Sequence, residues 1–291
     1  MPTKASSKDT LAPLHADNLA QIPWLVHGFS TRSGGSSRVY GGNALNLGFT
    51  KMDSRAAVER NRGAFLKKIG ALRGKEVLPL VTLRQLHSDI IHRVSELPDD
   101  PLPGDGLVTN APGVAIAVQT ADCLPIVLVD TKRKTVGVFH AGWRGTVKRI
   151  VEKGVGEMHR WFGTRPRDIQ AAIGPSIHNC CYQVGPEVRE KFESQFEYAA
   201  ALFHETKESD EVREKYPLLF LTARAPGHSE LPKKIFLDLV EANRRQLIFA
   251  GVPRKNITAS PLCTSCRPDL LFSHRAERGV TGRMMAVAAI K

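Results

Sequence analysis

The stretch from Ile126 to Gly145, I-V-L-V-D-T-K-R-K-T-V-G-V-F-H-A-G-W-R-G, decides how this chain is read. Two short β-rich runs, Ile126 to Val129 and Val136 to Phe139, flank the polar segment Asp130 to Lys134, and that pattern predicts a hairpin. The second run delivers His140, with Gly142 and Gly145 close behind. A histidine at a strand end, before glycines that let other groups approach closely, is well placed for chemistry. Two other segments share this form. Thr120-Ala121-Asp122-Cys123 follows the apolar run Val114 to Val118, and Gln85-Leu86-His87-Ser88 follows Val81 to Leu83. His87, Cys123 and His140 are two imidazoles and a thiol, the right types for zinc with a fourth position left to water or substrate. Spacing alone does not single them out. The chain has ten histidines and five cysteines, and no H-x-x-x-H or clustered C-x-x-C pattern fixes the trio on one element. The competing reading is a capped His140, a packed Cys123 and a surface His87.

Working outward, Trp24 to Ser30 reads as a first strand, and Thr31 to Gly48 as a glycine- and serine-rich loop. Arg55 to Ile69 has helical periodicity. Val77 to Val81 and Ile90 to Val94 read as strands around the His87 loop, and Gly104-Asp105-Gly106 as a turn. Thr146 to Phe162 reads as one helix stopped by Gly163 and Pro166. Gln170 to Ile173 is a strand, and Gly185 to Phe196 is helical. Lys234 to Ala250 reads as strand, turn and helix, with Gly251 as the stop. Ile257 to Ser260 and Gly282 to Ala289 close the chain as strands. Helices and strands mix with hairpins as well as crossovers. That predicts an α+β fold, a single layered domain with mixed β-sheets flanked by helices.

The chain has 291 residues, 42% of them hydrophobic, enough for a substantial core. The expected organisation is a flexible tail over 1–20 and one domain over 21–291. No apolar run approaches about 18 residues, so no membrane span is expected, and the first residues lack a signal-peptide core. Five cysteines are an odd number, which argues against a disulfide framework and for a reducing, cytoplasmic location. The net charge of +12 is spread over scattered pairs such as Lys67-Lys68 and Arg244-Arg245. With no nucleic-acid module visible, most of it reads as solvated surface with a local phosphate site superimposed.

The wording of the segments adds a resemblance. In order, they are G-F-S-T-R-S-G-G from Gly28, N-L-G from Asn46, Q-L-H-S from Gln85, D-G-L-V-T-N from Asp105, T-A-D-C-L-P from Thr120, and H-A-G-W-R-G from His140. Then come I-G-P-S-I-H-N-C-C-Y-Q-V from Ile173, C-T-S-C from Cys263 and F-S-H-R from Phe272. This series resembles the YfiH-like proteins, also called laccase-domain or multicopper polyphenol oxidase-like proteins and regarded as zinc-dependent purine nucleoside phosphorylases. The match runs from Gly28 to Arg275. It departs in a long charged segment around residues 206–228 and in the glycine-rich loop from Arg38 to Asn43.

The resemblance implies one Zn2+ per chain held by His87, Cys123 and His140, with copper less favoured. It implies phosphorolysis of adenosine, inosine, guanosine and methylthioadenosine, with adenosine deamination as a second activity. The expected partners are purine nucleosides and inorganic phosphate, without nucleic acid or membrane, in a monomer or weak homo-oligomer. Asp122 beside Cys123 is a candidate anchor or general base, against a plain turn-capping role. Arg144 sits at a helix start, the wrong end for a cation on electrostatic grounds, which favours a phosphate contact. Arg32, Asn46 and Arg275 are further candidates for phosphate or ribose, against loop-stabilising hydrogen bonds. Cys180-Cys181 and Cys263-x-x-Cys266 could make a second zinc site, against packing and loop geometry around the pocket, which is favoured because the resemblance implies one zinc. Besides a non-enzymatic binding protein that uses the pocket as a nucleotide sensor, two other enzymatic functions stay open. One is a cysteine hydrolase or deamidase using Cys123 and His140, in line with a fold resemblance to bacterial toxin deamidases. The other is a copper-dependent polyphenol oxidase, which the absence of H-x-H pairs argues against.

Overall fold

The computed structural model describes residues 11–207 and 233–291. The chain forms two compact units, one made of Met1–His178 with Leu239–Lys291 and the other of Asn179–Asp238. The 206–228 departure from the family pattern lies almost wholly outside the described residues.

Ten strands of the first unit build two sheets. They are β1 (Leu25–Phe29), β2 (Leu80–Val81), β3 (Ile91–Arg93), β4 (Gly106–Thr109), β5 (Ala115–Thr120), β6 (Leu124–Asp130), β7 (Thr135–Ala141), β8 (Ile169–Ile173), β9 (Ile257–Ala259) and β10 (Met284–Ile290). The smaller sheet has the order β1-β10-β5-β2, and the larger β9-β8-β6-β7-β4-β3. Both mix parallel and antiparallel pairs. Among the described residues, four helices of five residues or more accompany them: α1 (Arg55–Ile69), α2 (Trp143–Val147), α3 (Ile150–Phe162) and α4 (Leu239–Phe249).

The sheets pack face to face. Ile116 and Val118 of β5 and Ala286, Ala288 and Ile290 of β10 meet Val127, Val129, Val136 and Val138 of the hairpin in one buried cluster. The alternate residues Ala115, Ala117, Val287 and Ala289 turn to the opposite face, where Phe65 and Leu66 of α1 cover them. Strands buried on both faces need apolar residues at every position, which is why these runs read as continuous rather than alternating. On the far side of the larger sheet, Gly154 lets α3 close on β7, since a Cβ there would lie 2.5 Å from the Phe139 ring.

Helix α1 keeps its expected bounds. Ser54 caps its start through a bond from the Ala57 amide, and Gly70 ends it with φ 78°. The predicted Thr146–Phe162 helix is instead two helices. Arg149 takes a left-handed conformation, φ 62°, between α2 and α3. Of the expected Gly104-Asp105-Gly106 turn, Gly104 and Asp105 form a bend and Gly106 already opens β4. Part of the expected 1–20 tail is ordered: Leu14 bridges Phe29, Asp17–Ala20 forms a helical turn, and Leu19 is buried in the core.

In the second unit, the strands Gln183–Val184, Lys233–Leu237 and Phe203–Lys207 pair antiparallel in that order, and among the described residues a helix covers Pro186–Glu193. The helix stops short of Phe196, where the sequence pattern carries it. Among the described residues, no helix is long and apolar enough to cross a membrane.

Candidate active site

The site follows from the strand register. In the β6–β7 hairpin Leu124 pairs with Ala141 and Pro125 with His140. One residue beyond each strand end, Cys123 faces Gly142 across the open end of the hairpin. On the other side of β7, Phe139 pairs with Gly106 of β4, so Asp105 lies beside His140, whose amide donates to the Asp105 carbonyl at 2.8 Å. Strand β3 runs parallel to β4 with Ile91 opposite Gly106, which brings the preceding His87-Ser88 loop to Asp105. Four neighbouring segments therefore converge at one end of the larger sheet.

There the ligand atoms of His87, Cys123 and His140 all lie within 4.8 Å of one another. The two imidazoles meet edge to face with centroids 4.9 Å apart. His140 is buried, Cys123 half-buried and His87 exposed, so the group opens to solvent on the His87 side. Backbone strain accumulates here: His87 has φ 56° and Asp122 has φ 93°, both in the left-handed region that L residues avoid. Gly142 gives the site room in a different way. A Cβ at that position would stand 3.0 Å from the Cys123 sulfur and 3.2 Å from the His87 ring.

Asp105 is the residue that the sequence pattern hides. Its carboxylate is fully buried and accepts from the amides of Leu86 (3.1 Å), His87 (3.1 Å) and Ser88 (2.6 Å), from the Ser88 hydroxyl (2.7 Å) and from Nδ1 of His140 (2.8 Å). Burial works against its charge, but the bonds from His140 and Ser88 hold the carboxyl well below the usual carboxylate range. The signal in the sequence is the D-G motif itself, which reads as a turn because Asp-Gly usually is one.

Cys123 and His140 act on each other. Burial opposes the thiolate, yet the positive His140 ring and hydrogen bonds from both imidazoles bring the thiol down to about 6. Burial likewise opposes a charged His140, but the Cys123 sulfur and the Asp105 carboxylate raise it to about 9. Two imidazoles and a readily ionised thiol, packed against a glycine that leaves room for them, fit a borderline-soft divalent cation such as zinc.

The remaining candidates separate into two groups. The Asp122 carboxylate is committed: Thr264 Oγ1 donates to Oδ1 and the Arg275 amide to Oδ2, both at 2.6 Å. It ties the 264–275 segment to the residue next to Cys123. Arg32 is committed as well, donating to the carbonyls of Pro268 and Tyr40, pairing with Glu277 at 2.8 Å and lying over the Phe272 ring. Asn46 is fully buried and spends its side chain on Gly48, Asp53 and Arg283. Arg275 enters through its amide. Arg144 differs: it is exposed, two residues beyond Gly142, with its guanidinium 4.4 Å from the centroid of the Trp143 ring and no carboxylate partner among the described residues. Of the other cysteines, Cys263 is buried and accepts from the His178 amide, Cys266 is exposed, and Cys180 and Cys181 belong to the second unit.

A sequence model of the family described as multi-copper polyphenol oxidoreductase laccase matches residues 26–291. The chain belongs to that family. Among its relatives, purine nucleoside phosphorylase YlmD of Geobacillus stearothermophilus is 36% identical over 277 residues, covering 90% of this chain and 88% of that one. Adenosine deaminase RL5, from an unknown prokaryotic organism, is 42% identical over 171 residues, covering 59% of this chain and 56% of that one. The crystal structure of the Bacillus licheniformis protein YfiH superposes with a TM-score of 0.78 at 32% identity, covering 93% of this chain and 94% of the other. The mixed-sheet architecture is thus the fold of this laccase-like family, and relatives along nearly the whole chain carry the names of purine nucleoside enzymes.

Proposed function

We propose that this chain is a zinc-dependent purine nucleoside phosphorylase with adenosine deamination as a second activity. The observation that carries the reading is the convergence of His87, Cys123 and His140 donor atoms within 4.8 Å, in a chain 36% identical to a named purine nucleoside phosphorylase. The three residues would hold one zinc ion, whose charge supplies a Lewis acid able to polarise a phosphate oxygen, a water or a sugar hydroxyl. In phosphorolysis, a phosphate oxygen bonds to C1′ of the ribose while the bond from C1′ to the purine breaks, and the base leaves with the electron pair. The protein must therefore hold a dianion and tolerate charge on the departing base.

Arg144 suits the first task. Stacking on Trp143 limits the directions in which its planar fork can point, and a guanidinium grips two phosphate oxygens at once. Asp122, with both oxygens engaged, serves as the anchor that fixes the 264–275 segment rather than as a base. Arg32 and Asn46 brace the 31–48 loop through their hydrogen bonds. Nucleosides and inorganic phosphate are the partners this reading requires, and a cytoplasmic location suits them.

The lowered thiol of Cys123 beside a raised His140 also favours a second reading, a cysteine hydrolase or deamidase with Cys123 as nucleophile. Metal content separates the two, because a thiolate bound to zinc is a poor free nucleophile. The test combines elemental analysis of the purified protein with product separation after incubation with inosine and with adenosine, each with and without phosphate. One zinc per chain and phosphate-dependent release of base with ribose 1-phosphate are expected. Metal-free protein with undiminished turnover, or turnover indifferent to phosphate for inosine, would overturn the reading.

A further inference from the structure

We infer that Asp105 is the positioning residue that sets both imidazoles of the site for metal, fixing which nitrogen of His140 is offered and the backbone bend that presents His87. The inference rests on the reading of His87, Cys123 and His140 as a zinc site and adds to it a residue that touches no metal.

A carboxylate can only accept hydrogen bonds. The contact of 2.8 Å between Oδ1 and Nδ1 of His140 therefore requires the proton on Nδ1. That leaves Nε2 as the nitrogen with a free lone pair once the ring is neutral, and Nε2 is the one available to a metal beside Cys123. The same oxygen accepts from the His87 amide at 3.1 Å, and Oδ2 takes the amides of Leu86 and Ser88 with the Ser88 hydroxyl. Three successive amides pointing at one anion suit the bend that gives His87 its φ of 56°. One carboxylate thus holds the ring of one ligand and the backbone of the other. The backbone of Asp105 cannot drift from either, because its carbonyl accepts from the His140 amide and its amide donates to the Ile90 carbonyl at 2.9 Å. Partners of this kind govern ligand orientation and usually change metal affinity 10–100-fold when lost.

Asparagine discriminates sharply. Its amide has one acceptor oxygen and one donor nitrogen, so in either orientation an NH2 faces groups that themselves donate. If the oxygen stays with His140, the NH2 confronts the Leu86 and Ser88 amides. If it turns to the loop, His140 must move its proton to Nε2. Competition against a chromophoric chelator should show zinc binding about 10–100-fold weaker in Asp105→Asn than in the wild type. Ser88→Ala leaves the His140 contact intact and should weaken zinc only a few-fold. Should Asp105→Asn fail to fold, nitrogen-15 NMR of histidine-labelled wild-type protein loaded with zinc decides instead: His140 should carry its proton on Nδ1. A folded Asp105→Asn with wild-type zinc affinity, or a zinc-loaded His140 protonated on Nε2, would overturn the inference and leave the zinc reading standing. Wild-type protein that takes up no zinc would overturn both.

Discussion

The two ends of the β6–β7 hairpin make an instructive pair. Each has a fully buried aspartate and a residue in the left-handed region. At the closed end Asp130 accepts from the amides of Lys132 and Arg133, two and three residues on, and Lys134 with φ 50° completes the turn. Everything that the carboxylate holds belongs to its own loop. At the open end Asp105 gathers donors from the 86–88 loop and from β7, and the neighbouring Asp122 reaches to Thr264 and Arg275. A buried acid with local partners makes a turn, whereas one with partners from several segments makes a site.

Breaking the open end should have the largest effect. Removing a metal ligand costs more than removing its hydrogen-bond partner, so Cys123→Ala should lower metal content and turnover by more than about 100-fold. Elemental analysis and initial rates check this, and full zinc occupancy in the variant would refute the ligand assignment. Arg144→Ala should come next. A charge-assisted bidentate contact has a net worth of about 1.5–3 kcal/mol, so the phosphate concentration needed for inosine cleavage should rise roughly ten- to hundredfold. Adenosine deamination, which uses water, should suffer less. Equal losses in both activities would make Arg144 a structural residue or a nucleoside contact.

Acidity sharpens the comparison, because Cys123 and His140 titrate as a pair. In metal-free protein the thiol is lowered to about 6, so its alkylation rate should climb as pH rises through that value and level off above it. Wild-type protein stripped of metal, assayed with iodoacetamide, gives the curve, and a midpoint at the ordinary thiol value would contradict the pairing. Zinc entry must expel the proton that keeps His140 charged up to about 9, so zinc affinity should weaken steadily as pH falls below that range.

Two glycine substitutions should produce the smallest and most opposed changes. A Cβ at Gly142 meets the Cys123 sulfur and the His87 ring, whereas one at Gly156, inside α3, meets nothing within 4 Å. Gly142→Ala should loosen metal binding while Gly156→Ala stabilises the fold by roughly 0.5–1 kcal/mol. Thermal unfolding and zinc competition on both variants read the two effects, and a Gly142→Ala protein with unchanged affinity would show that the contact is slack.

Much of the frame was legible in the sequence because its strands are buried on both faces. The runs of β6 and β7 and the turn between them could be read from apolar content and the charged loop alone, and α1 from its periodicity. The three ligand-type residues were legible as strand-end positions, although only the register of β7 between β6 and β4 brings them together. Asp105 was not, because Asp-Gly has the same local form whether it makes a turn or leads into a strand. Arg149 was not either: nothing about an arginine within a helical run announces a left-handed break. Arg32 and Asn46 sit in loop motifs that suggest ligand contact, and only their partners from distant segments, Glu277 and Arg283, show how fully they are engaged.

The central claim is that the open end of the hairpin is a one-zinc centre for phosphorolysis. Its most direct test is to strip the protein with a chelator, return zinc in sub-stoichiometric steps, and follow hypoxanthine release from inosine in phosphate. Activity should return in proportion to zinc and level off at one equivalent per chain. Full activity in the stripped protein, or recovery with copper and not with zinc, would contradict the account.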